Sequence, residues 1–361
     1  MNKFISGLQL SELFYKEVVK NILETEFPKL KYSAGLIGSG SEVFGFDTLR
    51  SIDHHWGPRV LIFLGEADFK NKQKISNIFS KQLPVTFHGY STHFGDPDDM
   101  GVRLLEKAKK GQLLNHRVEI FTIKSFFNDY LNINPYGEIT ELEWLTMSAQ
   151  KLRSIKSGKI FYDQLGLKEM QKNLNYYPKD VWFYLLASEW QKISQEEPFV
   201  GRSGEVNDEL GSKIIAVRLV HSIMTLCFMM EKEYAPYSKW FGTAFSNLKC
   251  AKKIIPILHK VMSSKNWEKR EKYLSQAYEE IAKIHNRLKI TKPLPIKVSN
   301  FHDRPYLVIH GDVFATEVKK KITSKVIRKI KNNIGSVNQI TNSVDLLENN
   351  NLLKKMEVLY K

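Results

Sequence analysis

A short run rich in glycine and serine, placed between two apolar stretches, constrains this chain more than any other feature. Residues 38–58 read G-S-G-S-E-V-F-G-F-D-T-L-R-S-I-D-H-H-W-G-P, after the apolar residues 34–37 and before the apolar residues 60–64. The pattern predicts a strand, a tight turn, a short helix and a carboxylate, Asp53, that opens a second strand. Glycine and serine let backbone N–H groups approach phosphates closely. A carboxylate can hold the divalent metal that neutralises a transferring phosphoryl group.

The chain is long enough for two domains, and its periodicity changes along its length. Its 361 residues allow two sizeable cores. Strands are predicted over 33–38, 58–64, 84–90 and 117–123, with helices over 9–26 and 102–109. After residue 135 helical periodicity dominates, over 141–153, 167–174, 180–195, 209–233, 247–262 and 267–289.

These patterns predict an α+β fold made of two parts. Residues 1–135 form a small mixed sheet with flanking helices. Residues 136–361 form a helical-bundle domain, with a proline-rich connector at 291–305. In a chain with this organisation, a ligand site is expected in the first part, at the glycine- and serine-rich turn.

Charge and cysteine content indicate the partner and the compartment. The formal net charge of +15 favours a polyanion, either a nucleotide or a nucleic acid, although the basic residues are spread over the whole chain as on an ordinary solvated surface. The two cysteines lie in apolar segments and indicate a reducing, cytoplasmic compartment. The apolar run 214–230 contains Arg218 and His221, which favours a buried bundle helix and no membrane span.

Three stretches carry a resemblance to a known group of proteins. They are residues 45–58, residues 177–187 (Y-P-K-D-V-W-F-Y-L-L-A) and residues 234–245 (Y-A-P-Y-S-K-W-F-G-T-A-F). Together with Gly38 and Ser39, the first stretch resembles the kanamycin-nucleotidyltransferase-like superfamily, and more closely a bacterial domain-of-unknown-function branch of it. The resemblance implies metal-dependent transfer of a nucleoside monophosphate from a nucleoside triphosphate to an acceptor hydroxyl, with Mg²⁺ or Mn²⁺.

Three residues are the predicted catalytic and metal-binding set: Asp53, His55 and Glu119. Alternate residues of a strand share a face, so residue 55 would be the second ligand after residue 53. The superfamily has a carboxylate there, whereas imidazole is a poor ligand for Mg²⁺ and a good one for Mn²⁺ or Zn²⁺. One Mg²⁺, a softer metal or an inactive site all remain open, and His55 could also act as a base. Glu119 interrupts an apolar strand, as a ligand would, or else it faces solvent as the partner of Arg117.

Seven residues are predicted to bind the nucleotide. A serine hydroxyl holds one phosphate oxygen and an arginine holds two. In the helical part, a loop arginine and two lysines could reach the same phosphates, or else serve as surface charges, caps or ion-pair partners. The seven are Gly38, Ser39, Arg50, Ser51, Arg202, Lys213 and Lys239.

The acceptor and the activity itself stay open at this stage. The acceptor is a small molecule, a tRNA or a protein side chain, and the net charge mildly favours an anionic one. The alternative is a non-catalytic, antitoxin-like module that binds a nucleotide or a partner. The histidine at position 55, in place of a carboxylate, keeps this alternative open.

Overall fold

The computed structural model describes residues 4–53, 56–99, 101–109 and 111–361, with Asp53 described through its backbone only. The fold is α+β, as predicted, and it separates into two compact units. The first unit comprises Met1–Ile139 and Lys151–Asn175. The second comprises Thr140–Gln150 and Tyr176–Lys361.

Helices and strands are numbered in chain order. The strands are β1 Tyr32–Leu36, β2 Arg59–Leu64, β3 Thr86–Phe87, β4 Tyr90–Ser91, β5 Arg117–Thr122, β6 Lys159–Asp163, β7 Ser299–Phe301 and β8 Arg304–Val308. The α-helices are α1 Gly7–Phe14, α2 Lys20–Glu26, α3 Lys72–Gln82, α4 Ile123–Leu131, α5 Glu141–Thr146, α6 Ala149–Ser157, α7 Leu167–Asn173, α8 Lys179–Glu196, α9 Phe199–Glu205, α10 Glu209–Met230, α11 Ser238–Ser246, α12 Ala251–Ser263, α13 Trp267–Arg287, α14 Gly311–Lys319, α15 Lys325–Lys329, α16 Val337–Ile340, α17 Val344–Glu348 and α18 Asn350–Lys355. A π-helical turn, Tyr15–Val19, joins α1 to α2, and 3₁₀ turns occupy Ser41–Phe44, Leu49–Asp53, Phe69–Asn71 and Met356–Tyr360.

The first unit is built on a four-stranded mixed sheet in the order β5-β2-β1-β6. Strand β1 is antiparallel to both β2 and β6, whereas β2 and β5 are parallel, with Arg59 opposite Arg117. The end of β1 and the starts of β2, β5 and β6 therefore meet at one edge of the sheet. The loops that carry residues 37–58 leave from this edge.

The core of the first unit lies on one face of that sheet. Strand β2 is buried along its whole length, whereas β5 alternates between half-buried and buried positions. Val60 and Ile62 share a buried cluster with Val118 and Ile120, and helices α1 and α3 cover it. Because register partners share a face, Arg59, Arg117 and Glu119 lie on the opposite face. This face is the one that the candidate site uses.

Four details of the first unit differ from the sequence prediction. The strand predicted over 84–90 is two short strands, β3 and β4. The helix predicted over 102–109 is wrong, because this segment is extended and Leu105 bridges Phe94. Strand β6 was not predicted. Asp53 does not open a strand, since it ends the 3₁₀ turn Leu49–Asp53 and β2 begins only at Arg59.

The second unit is mainly helical. Helix α8 is buried over most of its length and packs against α10 and α14, while α10 also packs against α9, α12 and α13. Of the described residues, one helix, α10, is long and apolar enough to span a membrane, and 56% of its apolar window is buried inside the fold. Strand β7 and the first two residues of β8 lie within the predicted connector 291–305, so the second half of that segment is part of a hairpin.

Candidate functional site

The turn after β1 is shaped by two glycines in the left-handed region. Gly38 has φ +93° and Gly40 has φ +139°, where side chains cause strain. A Cβ on Gly40 would lie 2.5 Å from the carboxylate of Glu42, which folds back beneath the turn. Ser39, between the two glycines, is exposed. The turn therefore presents a serine hydroxyl and backbone to solvent above a buried carboxylate.

Tyr130 lies beside the turn, with its hydroxyl near two serine hydroxyls. The hydroxyl of Tyr130 is 3.4 Å from Ser39 Oγ and 2.7 Å from Ser154 Oγ. The Tyr130 ring stacks on the Phe126 ring with their centroids 5.5 Å apart. A Cβ on Gly38 would lie 3.4 Å from the Phe126 ring. The ammonium group of Lys151, a residue only 5% exposed, lies 5.6 Å from the centroid of the Tyr130 ring. The Tyr130 ring is therefore fixed on both sides, and its hydroxyl is placed against that of Ser39.

A buried arginine supports the turn from below. Arg59, at the start of β2, is 6% exposed, and its Nη2 donates to the backbone carbonyl of Ser39 at 2.8 Å. The same nitrogen is 2.9 Å from Oε1 of Glu42, which is 3% exposed. Among the described residues the Nε of Arg59 has no hydrogen-bond partner. This ion pair couples the conformation of the turn to a buried guanidinium.

Two more arginines lie near Arg59 at this edge. Arg117 is its register partner on β5, with Nη2 3.2 Å from Oε1 of Glu119, and Arg103 donates to Asn115 at 3.1 Å. Burial lowers the pKa of Arg117 from its usual value; the charge of Glu119 opposes that change, while Arg59 and Arg103 add to it. Guanidinium groups grouped in this way match the oxygens of a phosphate.

The predicted ligand Asp53 and its neighbours lie in the segment between the turn and β2. Arg50 is exposed, and Ser51 Oγ accepts the backbone N–H of Thr48 at 3.0 Å, which closes a local turn. His55 and the side chain of Asp53 lie outside the described residues. Because residue 53 ends a 3₁₀ turn, the strand argument for a shared face does not apply to residues 53 and 55.

The described side chains do not by themselves make up the predicted metal site. Glu119 is half-buried and contacts Arg117, the alternative that the sequence left open. Within the described ranges no three His, Cys, Asp or Glu side chains come together as a metal site. One carboxylate paired with an arginine is not a ligand set for a divalent cation. The metal role of Asp53, His55 and Glu119 stays a prediction.

Asp47 and Trp56, which lie between the turn and β2, make structural contacts. Asp47 Oδ2 accepts the backbone N–H of Gly7 at 2.6 Å and the indole N–H of Trp56 at 2.9 Å. Trp56 is buried in the core and packs edge-on against Tyr90. Asp47 therefore anchors a core tryptophan to the start of α1.

Five residues at this edge were not predicted from the sequence. Arg59 does leave a local signal, because it places a charge at the head of the apolar run R-V-L-I-F-L. Of the other four, Glu42 follows the turn directly in the sequence, whereas the remaining three come from separate segments that only the folded unit brings close to the turn. The four are Glu42, Arg103, Tyr130 and Lys151.

The three predicted cations of the second unit are exposed and lie on helices. Arg202 lies on α9 and not in a loop, so that prediction was wrong; its guanidinium is 5.7 Å from the Phe199 ring centroid. Lys213 lies on α10, and Lys239 lies near the start of α11. Their contact with a triphosphate stays a prediction.

Comparison with known proteins gives a family match over part of the chain. Residues 144–241 match a family described as a domain of unknown function, DUF4037; this range contains the stretch 177–187 and the first eight residues, 234–241, of the stretch 234–245. Comparison with curated protein sequences gave no match.

One solved structure is weakly similar over most of the chain. A nucleotidyltransferase-like protein from Exiguobacterium sibiricum 255-15 aligns over 87% of this chain and 89% of its own, with 11% identity and a TM-score of 0.30. A likeness at this TM-score indicates nothing about the chemistry of this chain.

Proposed function

We propose that the edge of the sheet around the turn after β1 binds the phosphates of a nucleoside triphosphate. The observation that carries this proposal is the buried Arg59, which holds the carbonyl of Ser39 and lies beside Arg117 on the next strand. A buried guanidinium is costly unless it is paired and fully hydrogen-bonded. The pair with Glu42 meets one side of Arg59, while its buried Nε has no hydrogen-bond partner among the described residues; an anion that reached this nitrogen would satisfy it.

We propose further that the chain transfers a nucleoside monophosphate to an acceptor hydroxyl. The hydroxyl oxygen attacks the α-phosphorus, the bond from that phosphorus to the bridging oxygen breaks, pyrophosphate leaves, and the hydroxyl proton passes to solvent. Ser39 and the arginines would hold the phosphate oxygens and offset charge on the leaving pyrophosphate. A metal bound by Asp53, His55 and Glu119 would supply additional positive charge.

In this proposal the second unit contributes to the outer phosphates and to acceptor choice. Arg202, Lys213 and Lys239 are exposed and available to an anion. The acceptor is a small molecule, a tRNA or a protein side chain. A positively charged chain favours the anionic members of this set.

A binding module without catalysis is the second candidate function. The contact between Arg117 and Glu119 favours it, because a carboxylate engaged by a guanidinium is less available to a metal. Such a module would bind a triphosphate through its arginines alone. Its affinity for the nucleotide would then be the same with and without a divalent metal.

Calorimetric titration of the full chain with the four nucleoside triphosphates, with and without Mn²⁺, tests the binding proposal. Ser39→Asp places a negative charge on an exposed position of the turn, and we expect at least about a tenfold loss of affinity. The matched control is Ser343→Asp, at an exposed serine of the second unit, which should bind as the unchanged chain does. Equal affinity in all three proteins would overturn the proposal.

Pyrophosphate release separates the two candidate functions once binding is established. The chain is incubated with each nucleotide, Mn²⁺ and a mixture of tRNA, small hydroxylated compounds and protein. Release that depends on the acceptor supports transfer. Binding that does not depend on the metal, together with no release from any mixture, supports the module.

A further inference from the structure

Helix α10 exposes a continuous line of aliphatic side chains. Leu210, Ile214 and Val217 are 71%, 54% and 46% exposed. Successive residues of a helix are rotated by about 100°, so these three fall within about 60° of one another around the axis. They form a stripe on the face that α8, α9, α12 and α13 leave uncovered. We name Leu210, Ile214 and Val217 the aliphatic stripe.

Cations border the aliphatic stripe on both sides. Measured from Leu210, Lys213 lies at about −60° around the axis and Arg218 at about +80°. Both are exposed; Arg218 contacts Glu196 of α8, and its side chain remains 60% exposed. The remaining exposed residue of this face, His221, stacks on Phe241 of α11 with the centroids 4.7 Å apart. The uncovered face thus has an apolar centre and cationic borders.

We propose that the aliphatic stripe is a docking surface for an amphipathic helix of another protein, with an apolar face bordered by carboxylates. Charge complementarity carries this choice, because carboxylates on both borders would meet Lys213 and Arg218 while the aliphatic centres pack together. A helix that is apolar all round is normally buried, and α10 is mainly buried on its other sides.

Other occupants fit this face less well. A second copy would bring cationic borders against cationic borders on a chain of net charge +15. Single-stranded nucleic acid is held by aromatic stacking, whereas the centre of this face is leucine, isoleucine and valine. A lipid surface gains affinity with the apolar area that it buries, and three side chains supply little of it.

The probe is a fluorescein-labelled synthetic helical peptide with one leucine face bordered by glutamates. Its controls are a peptide of the same composition in scrambled order and a peptide with lysine borders. Fluorescence anisotropy of the full chain should show binding of the glutamate-bordered peptide at least about tenfold tighter than either control. Equal affinity for the three peptides, or binding of none, would overturn the proposal.

A substitution on the aliphatic stripe tests whether the peptide binds there. Ile214→Asp should lower the affinity for the glutamate-bordered peptide about tenfold or more. Ile340→Asp, at another exposed isoleucine of the second unit, should leave that affinity unchanged. Ile214 is already exposed, so the substitution leaves the core intact. An equal loss of affinity in both variants would show that the peptide does not bind at the aliphatic stripe.

Two further results would each overturn the proposal in favour of another occupant. The first is binding of anionic phosphatidylserine vesicles that Ile214→Asp abolishes. The second is self-association in sedimentation that the same substitution abolishes. The inference does not depend on catalysis, and each of these outcomes can be read without it.

Discussion

Replacing the buried Glu42 by glutamine is the sharpest test of the electrostatic arrangement under the turn. Glu42 and Arg59 are 3% and 6% exposed, and Oε1 lies 2.9 Å from Nη2. At an effective dielectric constant of about 20, two unit charges at that distance attract by about 6 kcal/mol before desolvation. Removing one partner of a buried pair costs about 3–5 kcal/mol. Since Arg59 also donates to Ser39, we expect the lower end, about 3 kcal/mol in the free energy of unfolding.

Urea denaturation followed by circular dichroism measures this loss. The matched control is Glu24→Gln, whose partner Lys20 lies 3.7 Å away on the exposed surface of the same unit and should cost less than about 1 kcal/mol. A triphosphate should restore more stability to Glu42→Gln than to the unchanged chain, because it supplies the charge that Arg59 has lost. A loss below about 1 kcal/mol, or equal restoration in both proteins, would refute the reasoning.

Four further predictions each concern one residue. Tyr130→Phe removes the hydroxyl that lies 3.4 Å from Ser39 Oγ, so calorimetry should show nucleotide affinity lowered about threefold to tenfold with the fold intact; unchanged affinity would exclude a positioning role. Burial raises the pKa of Glu197 from 4.5 to about 7, so the folded state binds this proton more tightly than the unfolded state. Glu197 therefore contributes about 3 kcal/mol of stability below about pH 4.5, lost as pH rises to about 7; urea titrations should show this decline reduced in Glu197→Gln, and an unaltered profile would contradict the assignment. Lys239→Ala should weaken triphosphate binding more than monophosphate binding, because its charge would meet the outer phosphates; calorimetry with both nucleotides checks this, and equal losses would rule it out. If His55 is a metal ligand, Mn²⁺ should support nucleotide binding better than Mg²⁺, and His55→Asp should reverse the order; a preference that does not change removes His55 from the metal.

The sheet could be predicted where the local pattern and the tertiary contacts agree. Strands β1 and β2 are mainly apolar runs next to turn residues, and β5 alternates between half-buried and buried positions, so burial and local propensity favour the same state. The segment 102–109 shows the opposite case, because its helical spacing is overridden by antiparallel pairing with the nearby residues 93–95. Backbone hydrogen bonds from Gly95 to Leu104 and from Glu106 to His93 hold it extended.

Strand β6 and the arginine cluster depend on contacts between distant parts of the chain. β6 pairs with β1 across more than a hundred residues of sequence, and its side chains are only partly buried, so its apolar signal is weak. Of the candidate site, the turn at Gly38 and Ser39 could be predicted, because glycine marks positive φ directly. The support from Arg59 and Glu42 could not, since it depends on how β2 lies beneath that turn.

The most direct test of the central claim is a crystal structure of the full chain with a non-hydrolysable nucleoside triphosphate and Mn²⁺. The proposal predicts phosphate oxygens within hydrogen-bond distance of Ser39 and of the guanidinium of Arg59. Anomalous scattering would place Mn²⁺ beside Asp53, His55 and Glu119. A nucleotide bound elsewhere, with this edge of the sheet unchanged, would contradict the claim.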